Sequence, residues 1–196
     1  MITFAVIRQI LESKRVVITG GPGTGKTSVI QQLTDEGFTC VPEIIRSMTE
    51  AAKLQDNANE VATNPLAFVD DPMAFNLKLL EGRTKQFLNA IQHDQDLVFF
   101  DRGIPDVLAY MDYFNQKYSD DFVRACDMHR YDLAIILPPW KEIYASDSSR
   151  LENFQEATEI HNHLLGTYNR FQYNPIFIPK GSVAERVSLI LDLIKQ

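Results

Sequence analysis

The sequence predicts an α/β domain of three layers, with a five-stranded parallel sheet between two layers of helices. Three observations predict it. Short apolar runs alternate with segments of helical periodicity along the chain, which places parallel strands inside and crossover helices on both faces. A glycine-rich stretch separates the first apolar run from the first helical segment. The length of 196 residues suits a single domain that buries about 70% of its unfolded surface.

The strands are expected at Arg15–Thr19, Phe38–Val41, Leu97–Asp101, Asp132–Leu137 and Pro175–Pro179. Each is a short, largely apolar run, as strands buried on both faces require. Helices are expected over Lys26–Glu36, Pro42–Leu54, Pro72–His93, Pro105–Lys117, Asn153–Phe171 and Ser182–Lys195. Residues 1–14 read as an amphipathic tail or short helix before a domain spanning 15–196. Gln55–Asp71 and Pro138–Arg150 interrupt the alternation, and both are long enough to be lids, although plain connections would also fit. No repeat or low-complexity tract is visible.

Gly20-Gly21-Pro22-Gly23-Thr24-Gly25-Lys26-Thr27 satisfies the pattern of a phosphate-binding P-loop, a chance match to which is on the order of one in a hundred for a chain of this size. It lies between a strand and a helix, which is the context the motif demands. The glycines let successive N–H groups curl around phosphate oxygens. The helix that opens at Lys26-Thr27-Ser28 adds its positive N-terminal dipole. Lys26 can reach the β- and γ-phosphates, and the Thr27 hydroxyl can hold Mg²⁺. A nucleoside di- or triphosphate, with ATP as the expected cofactor, follows from this loop. The absence of an Asn-Lys-x-Asp guanine-recognition sequence favours ATP over GTP.

Leu97-Val98-Phe99-Phe100-Asp101 supplies a second strand ending in a carboxylate. Ligands of parallel sheets gather at the carboxyl ends of strands, so Asp101 is a candidate metal ligand. As an alternative to Glu43, it is also a candidate to orient and deprotonate an acceptor hydroxyl, with a plain capping role also open. The next residue is Arg102. A guanidinium cannot serve as a base at neutral pH, but it can clamp phosphate or stabilise charge on a transferred phosphoryl group. That choice leans from hydrolysis toward transfer, and Asp-Arg-Gly resembles the corresponding element of nucleoside and nucleotide kinases. Similarity to deoxynucleoside kinases implies that Glu43, just past the second strand, is a general base or a hydrogen-bond acceptor for substrate. Arg46, one turn on, would bind acceptor or phosphate. Their alternatives are a favourable helix-dipole contact for Glu43 and a solvated cation for Arg46. In a closing segment Trp140–Arg150, Arg150 is the candidate lid arginine, with Lys141 behind it; an ordinary helix-start ion pair is equally open for Arg150.

Composition excludes several classes. The formal net charge is −7 and no basic run occurs, which argues against a nucleic-acid or anionic-membrane surface. Cys40 and Cys126 have no metal-like spacing and suit free thiols in a reducing compartment. No stretch approaches the roughly 20 apolar residues of a membrane span, so a cytoplasmic location is the default. His161 and His163 fall on different faces of one expected helix and make a poor metal pair.

Several segments together resemble the NadR-type AAA domain family: ITGGPGTGKTSVI, FTCVPEIIR, VFFDRGIPDVLAY, PPWKEIY with the Asp147–Arg150 stretch, and IPKGSVAERVSLIL. They run in order from about Arg15 to the C-terminus. The resemblance implies a P-loop fold akin to nucleotide kinases, including the nicotinamide riboside kinase domain of NadR. It implies that Asp101, Arg102 and Asp106 line the active site, with Asp106 toward the substrate. By similarity to nucleoside-monophosphate kinases, the loop holding Ser182 and Val183 would flank the nucleotide base. The expectation is an ATP- and Mg²⁺-dependent phosphotransferase with a small, possibly nucleoside-like acceptor. The rival is a nucleotide-dependent regulatory switch, an ATPase or GTPase without a small-molecule acceptor, that signals to a protein partner.

Overall fold

A computed structural model of the chain describes residues 14–45, 71–92, 97–144 and 153–195. Five strands form one parallel sheet: β1 (Lys14–Thr19), β2 (Thr39–Val41), β3 (Leu97–Asp101), β4 (Leu133–Ile136) and β5 (Ile176–Phe177). Their spatial order is β2-β3-β1-β4-β5, and every pairing is parallel. The chain therefore reverses its winding at β1, with β3 on one side and β4 on the other. A crevice opens at such a point beyond the carboxyl ends of the strands, and the glycine-rich loop leaves β1 there.

The helices are α1 (Lys26–Asp35), α2 (Pro72–Gln92), α3 (Ile104–Tyr113), α4 (Asp120–Met128), α5 (Phe154–Arg170) and α6 (Val183–Ile194). Alternation along the strands divides the core into two layers. Val16, Ile18, Phe99 and Ile135 pack on one face with Val29 and Leu33 of α1 and Val187 and Ile190 of α6. Val17, Val98, Phe100 and Ala134 pack on the other with residues of α2, α3 and α4. A smaller cluster, Ala109, Ile160 and Leu164 around Ile136, joins α3 to α5. The expected three-layer architecture is the one observed.

Local chemistry sets where several helices begin. At α5, Asn153 Oδ1 accepts from the N–H groups of Gln155 and Glu156, at 2.9 and 3.0 Å, and Glu156 reaches back to Asn153 N–H at 2.7 Å. Ser182 and Glu185 make the same reciprocal cap at α6. Each cap satisfies donors that a helix start otherwise leaves unpaired.

The strands and the main helices match the sequence reading within two residues at most ends, with four differences. Lys14 belongs to β1 rather than to the tail, and its ammonium donates to Ile194 O at 2.6 Å. Helix α3 ends at Tyr113 instead of Lys117, because Asn115 takes a left-handed φ of 52°. Helix α4 was not expected, although Phe122 and Cys126, spaced one turn apart, form its buried face. β5 is confined to Ile176–Phe177. A helix does begin at Ile44, but the rest of its expected span, the Gln55–Asp70 stretch, residues 1–13 and residues 145–152 lie outside the described residues.

Candidate active site

The loop from Gly20 to Thr27 joins β1 to α1 and crosses the carboxyl edge of the sheet. Gly23 and Gly25 have φ of 71° and 81°, a region costly for residues with a side chain. Space is also closed at Gly23: a Cβ there would lie 2.4 Å from the Tyr144 ring. The Lys26 ammonium turns back to the loop and donates to Gly20 O at 2.8 Å and Gly21 O at 3.1 Å. Burial is the largest influence on it and the Arg102 charge acts in the same direction; Asp101, Asp106 and Glu43 oppose them only in part. Its pKa is lowered to about 7. Thr27 and Ser28 are exposed on the first turn of α1.

Asp101 ends β3 in register with Ile18 of β1, so its carboxylate lies one strand across from the loop. The chain then turns sharply, and Arg102 takes a φ of 73° that a non-glycine residue seldom adopts. That turn sends the guanidinium into a network of charges. Arg102 Nε donates to Glu43 Oε2 at 2.7 Å, Nη1 donates to Asp106 Oδ1 at 3.1 Å, and the group stacks over Tyr110 at 5.2 Å. The other Glu43 oxygen, Oε1, accepts from Arg83 Nη2 at 2.9 Å. Arg83 Nη1 donates to Gly103 O at 2.8 Å, fixing the turn that carries Arg102. Burial would lower the pKa of both arginines, but for Arg102 the Tyr110, Glu43, Asp106 and Asp101 groups, and for Arg83 the Glu43 and Asp106 carboxylates, outweigh it. Both remain cations.

Asp106 lies within this network, its carboxylate engaged by neighbouring donors. It is fully buried. Its oxygens accept from Thr19 Oγ1 at 2.6 Å, Tyr168 OH at 2.6 Å and Gly103 N at 2.9 Å, besides Arg102. The last of these caps α3. Asp106 is thus a positioning residue that holds Arg102 and the start of α3.

Ser182, expected beside a nucleotide base, caps the start of α6. Its N–H and hydroxyl both donate to Glu185 Oε2 at 2.8 Å, and its carbonyl accepts from Arg186 N at 3.1 Å. Capping α6 engages every polar group it has. Val183 packs its side chain on the α1–α6 core. Arg46 and Arg150 lie outside the described residues.

Four contributors were not read from the sequence. Arg83 and Arg186 are 4% and 2% exposed, each on the apolar stripe of its helix, beside Leu79 and Phe87 and beside Val187 and Ile190. An arginine at a core-facing helical position was the available signal. Tyr168 read as ordinary core. His161 lies under the loop: a Cβ on Gly21 would meet its Cβ at 3.2 Å, and its Nδ1 is buried without a partner. Burial, aided by the Lys26 charge, lowers its pKa to about 4. Cys126 is inert, its thiol pushed up to about 12 by burial.

A glycine-rich phosphate loop at the switch point of a five-stranded parallel sheet, with an Asp-Arg pair on the adjacent strand, defines a P-loop nucleotide-binding domain of kinase-like α/β fold. The chain matches the family described as AAA domain over residues 15–186, so it belongs to that family. Its fold is similar to that of NadR protein in complex with NAD and AMP-PNP (TM-score 0.68, 16% identity, 96% of this chain and 51% of that one). It therefore spans about half the length of that protein. It is also similar to deoxyadenosine kinase from M. mycoides (0.64, 16%, 92% and 98%) and thymidylate kinase from Candida albicans (0.66, 14%, 94% and 92%). No curated protein sequence is significantly similar to the chain. Among the described residues, no helix is long and apolar enough to cross a membrane.

Proposed function

We propose that the protein is an ATP- and Mg²⁺-dependent phosphotransferase acting on a small hydroxyl compound, nucleoside-like in character. The observation that carries this reading is the position of Arg102. It directly follows the strand-end Asp101, and Glu43 and Asp106 hold its guanidinium in the same charge environment as Lys26. Basic side chains gathered beside the phosphate loop, with no glutamate in the water-activating position, suit transfer better than hydrolysis.

The donor set fits Mg²⁺. Thr27 offers an exposed hydroxyl and Asp101 a carboxylate at the strand end, and this cation takes few protein ligands beside phosphate and water oxygens. When bound, it would neutralise charge on the phosphates. The chain's own residues do the rest. Lys26 would leave its loop carbonyls for the nucleotide's phosphate oxygens. Arg102, turning toward the transferring phosphoryl group, would release Glu43 Oε2 to orient an acceptor hydroxyl and take its proton. Arg83 would keep the remaining Glu43 oxygen in place. Arg150 remains a proposed contributor to the lid, Arg46 and Asp106 to acceptor contacts, and Ser182 and Val183 to base contacts. NadR has been crystallised with NR, and deoxyadenosine kinase from M. mycoides with deoxynucleotides, which motivates nucleosides and nicotinamide riboside as first acceptors to try.

The test is ADP release from Mg·ATP, alone and with a panel of nucleosides, nicotinamide riboside and other small alcohols. Manyfold stimulation by one compound is expected. Slow release that no compound stimulates, in protein that binds ATP, would instead favour a nucleotide-dependent switch.

A further inference from the structure

Helix α6, packed with α1 on one face of the sheet, brings an arginine against the phosphate loop. Arg186 is 2% exposed, and its Nη2 donates to Thr24 O at 2.9 Å. Its guanidinium faces the Trp140 ring at 5.9 Å. The Nε–H is buried with no partner, and among the described residues no carboxylate pairs with the group. Glu185, the adjacent acid, turns away to cap the helix through Ser182. A guanidinium stays charged under these conditions. The fold therefore maintains a desolvated cation that nothing in the described protein neutralises, an arrangement expected only where a compensating anion arrives.

The hydrogen bond from its guanidinium to Thr24 O says where that anion belongs. The Thr24–Gly25 peptide is trans, so its C=O and N–H point in opposite directions. Holding the Thr24 carbonyl toward α6 turns the Gly25 N–H to the side away from α6. Gly25 is also the N-terminal cap of α1, with a φ of 81°. A Cβ on Gly25 would come within 2.8 Å of Arg186 Nη1, so the guanidinium packs directly on the loop backbone. One residue thereby sets a loop peptide and places a full positive charge behind it.

We propose that Arg186 is a positioning residue of the phosphate site, which orients the Thr24–Gly25 peptide and lends its unneutralised charge to a bound nucleoside di- or triphosphate. The inference rests on the nucleotide-binding reading above. It commits to a ligand class, polyphosphate, and to a graded effect: loss of the charge weakens a ligand more as its phosphate charge grows.

The experiment displaces a fluorescent ATP analogue with Mg·ATP and Mg·ADP from wild type, Arg186→Met and Arg186→Lys, with thermal unfolding as a check on folding. For Arg186→Met, ATP affinity should fall about tenfold or more and ADP affinity by less, as expected for removing one buried charge near the phosphates. Arg186→Lys should retain most of the wild-type preference for ATP over ADP, since it keeps the charge. A folded Arg186→Met protein that binds ATP as wild type does would overturn the proposal, as would equal losses for ATP and ADP. If Arg186→Met does not fold, loss of the ATP preference in folded Arg186→Lys overturns it. Wild type that binds neither nucleotide refutes the underlying nucleotide reading, a result distinct from a variant that merely matches wild type.

Discussion

Asp106→Asn preserves shape and removes one charge at the centre of the site's buried network. The carboxylate is fully buried and accepts from Thr19, Tyr168, Gly103 and Arg102. Burial by itself would raise its pKa, but Arg102, Arg83 and the two hydroxyls hold it below the usual carboxylate range. An asparagine offers one acceptor oxygen to those donors and brings an NH₂ that needs acceptors of its own. Leaving a buried charge unpaired costs about 3–5 kcal/mol. At about 2–4 °C per kcal/mol for a chain of this size, the melting temperature should fall by roughly 6–20 °C. Circular dichroism on heating at pH 7 reads this directly. Tyr168→Phe removes one hydrogen bond to a charged acceptor and should cost about 1.5–3 kcal/mol. Because both changes act on the same oxygen, the double variant should cost about 1 kcal/mol less than the two added together. The carboxylate's pKa is lowered on folding, so its contribution is present above the unfolded value of 3.8 and is lost as pH falls below it. The difference between wild type and Asp106→Asn should shrink accordingly near pH 3. A melting temperature lowered by less than about 3 °C, or strictly additive costs, would refute the reasoning.

Two further predictions concern protons near the loop. Lys26 has a pKa of about 7 in the ligand-free fold against 10.5 ordinarily. The unfolded chain thus binds a proton that the folded one lacks between those values, and ligand-free stability should rise with pH across that window. A bound polyphosphate restores the charge, so ATP binding at pH 8.5 should take up roughly one proton, and far less at pH 6. Calorimetry in buffers of different ionisation enthalpy measures the uptake, and none at pH 8.5 would contradict the assignment. His161 is held neutral, with a pKa of about 4 against 6.5. Stability should therefore fall as pH drops from 6.5 toward 4, by roughly 3 kcal/mol from this residue. Urea titrations of wild type and His161→Leu should show that acid slope in wild type alone; identical slopes would count against it.

Much of this architecture could be read along the chain because its signals are local. β3 has the expected bounds since Leu97–Phe100 is an unbroken apolar run closed by Asp101. The phosphate loop is contiguous, and Asn153 and Ser182 mark helix starts by their own capping chemistry. What escaped depends on contacts between distant segments. Arg83 meets Glu43 across 40 residues, Tyr168 meets Asp106 across 62, and Arg186 meets Thr24 across 162. Strand-edge position indicates that Asp106 is near the site, but not that Thr19, Tyr168 and Gly103 converge on its carboxylate. Helix α4 carries readable signals, with Asp120 and Asp121 in its first turn and Phe122 and Cys126 one turn apart, but its nine residues hold only a single repeat of the buried spacing.

The most direct test of the account follows the γ-phosphate itself. Wild-type protein would be given γ-labelled Mg·ATP with the stimulating acceptor, and the label traced through a single turnover by mass spectrometry. The account predicts that most label appears in a phosphorylated acceptor, with Lys26→Ala abolishing its formation. Label found only in inorganic phosphate, whatever acceptor is supplied, would contradict it.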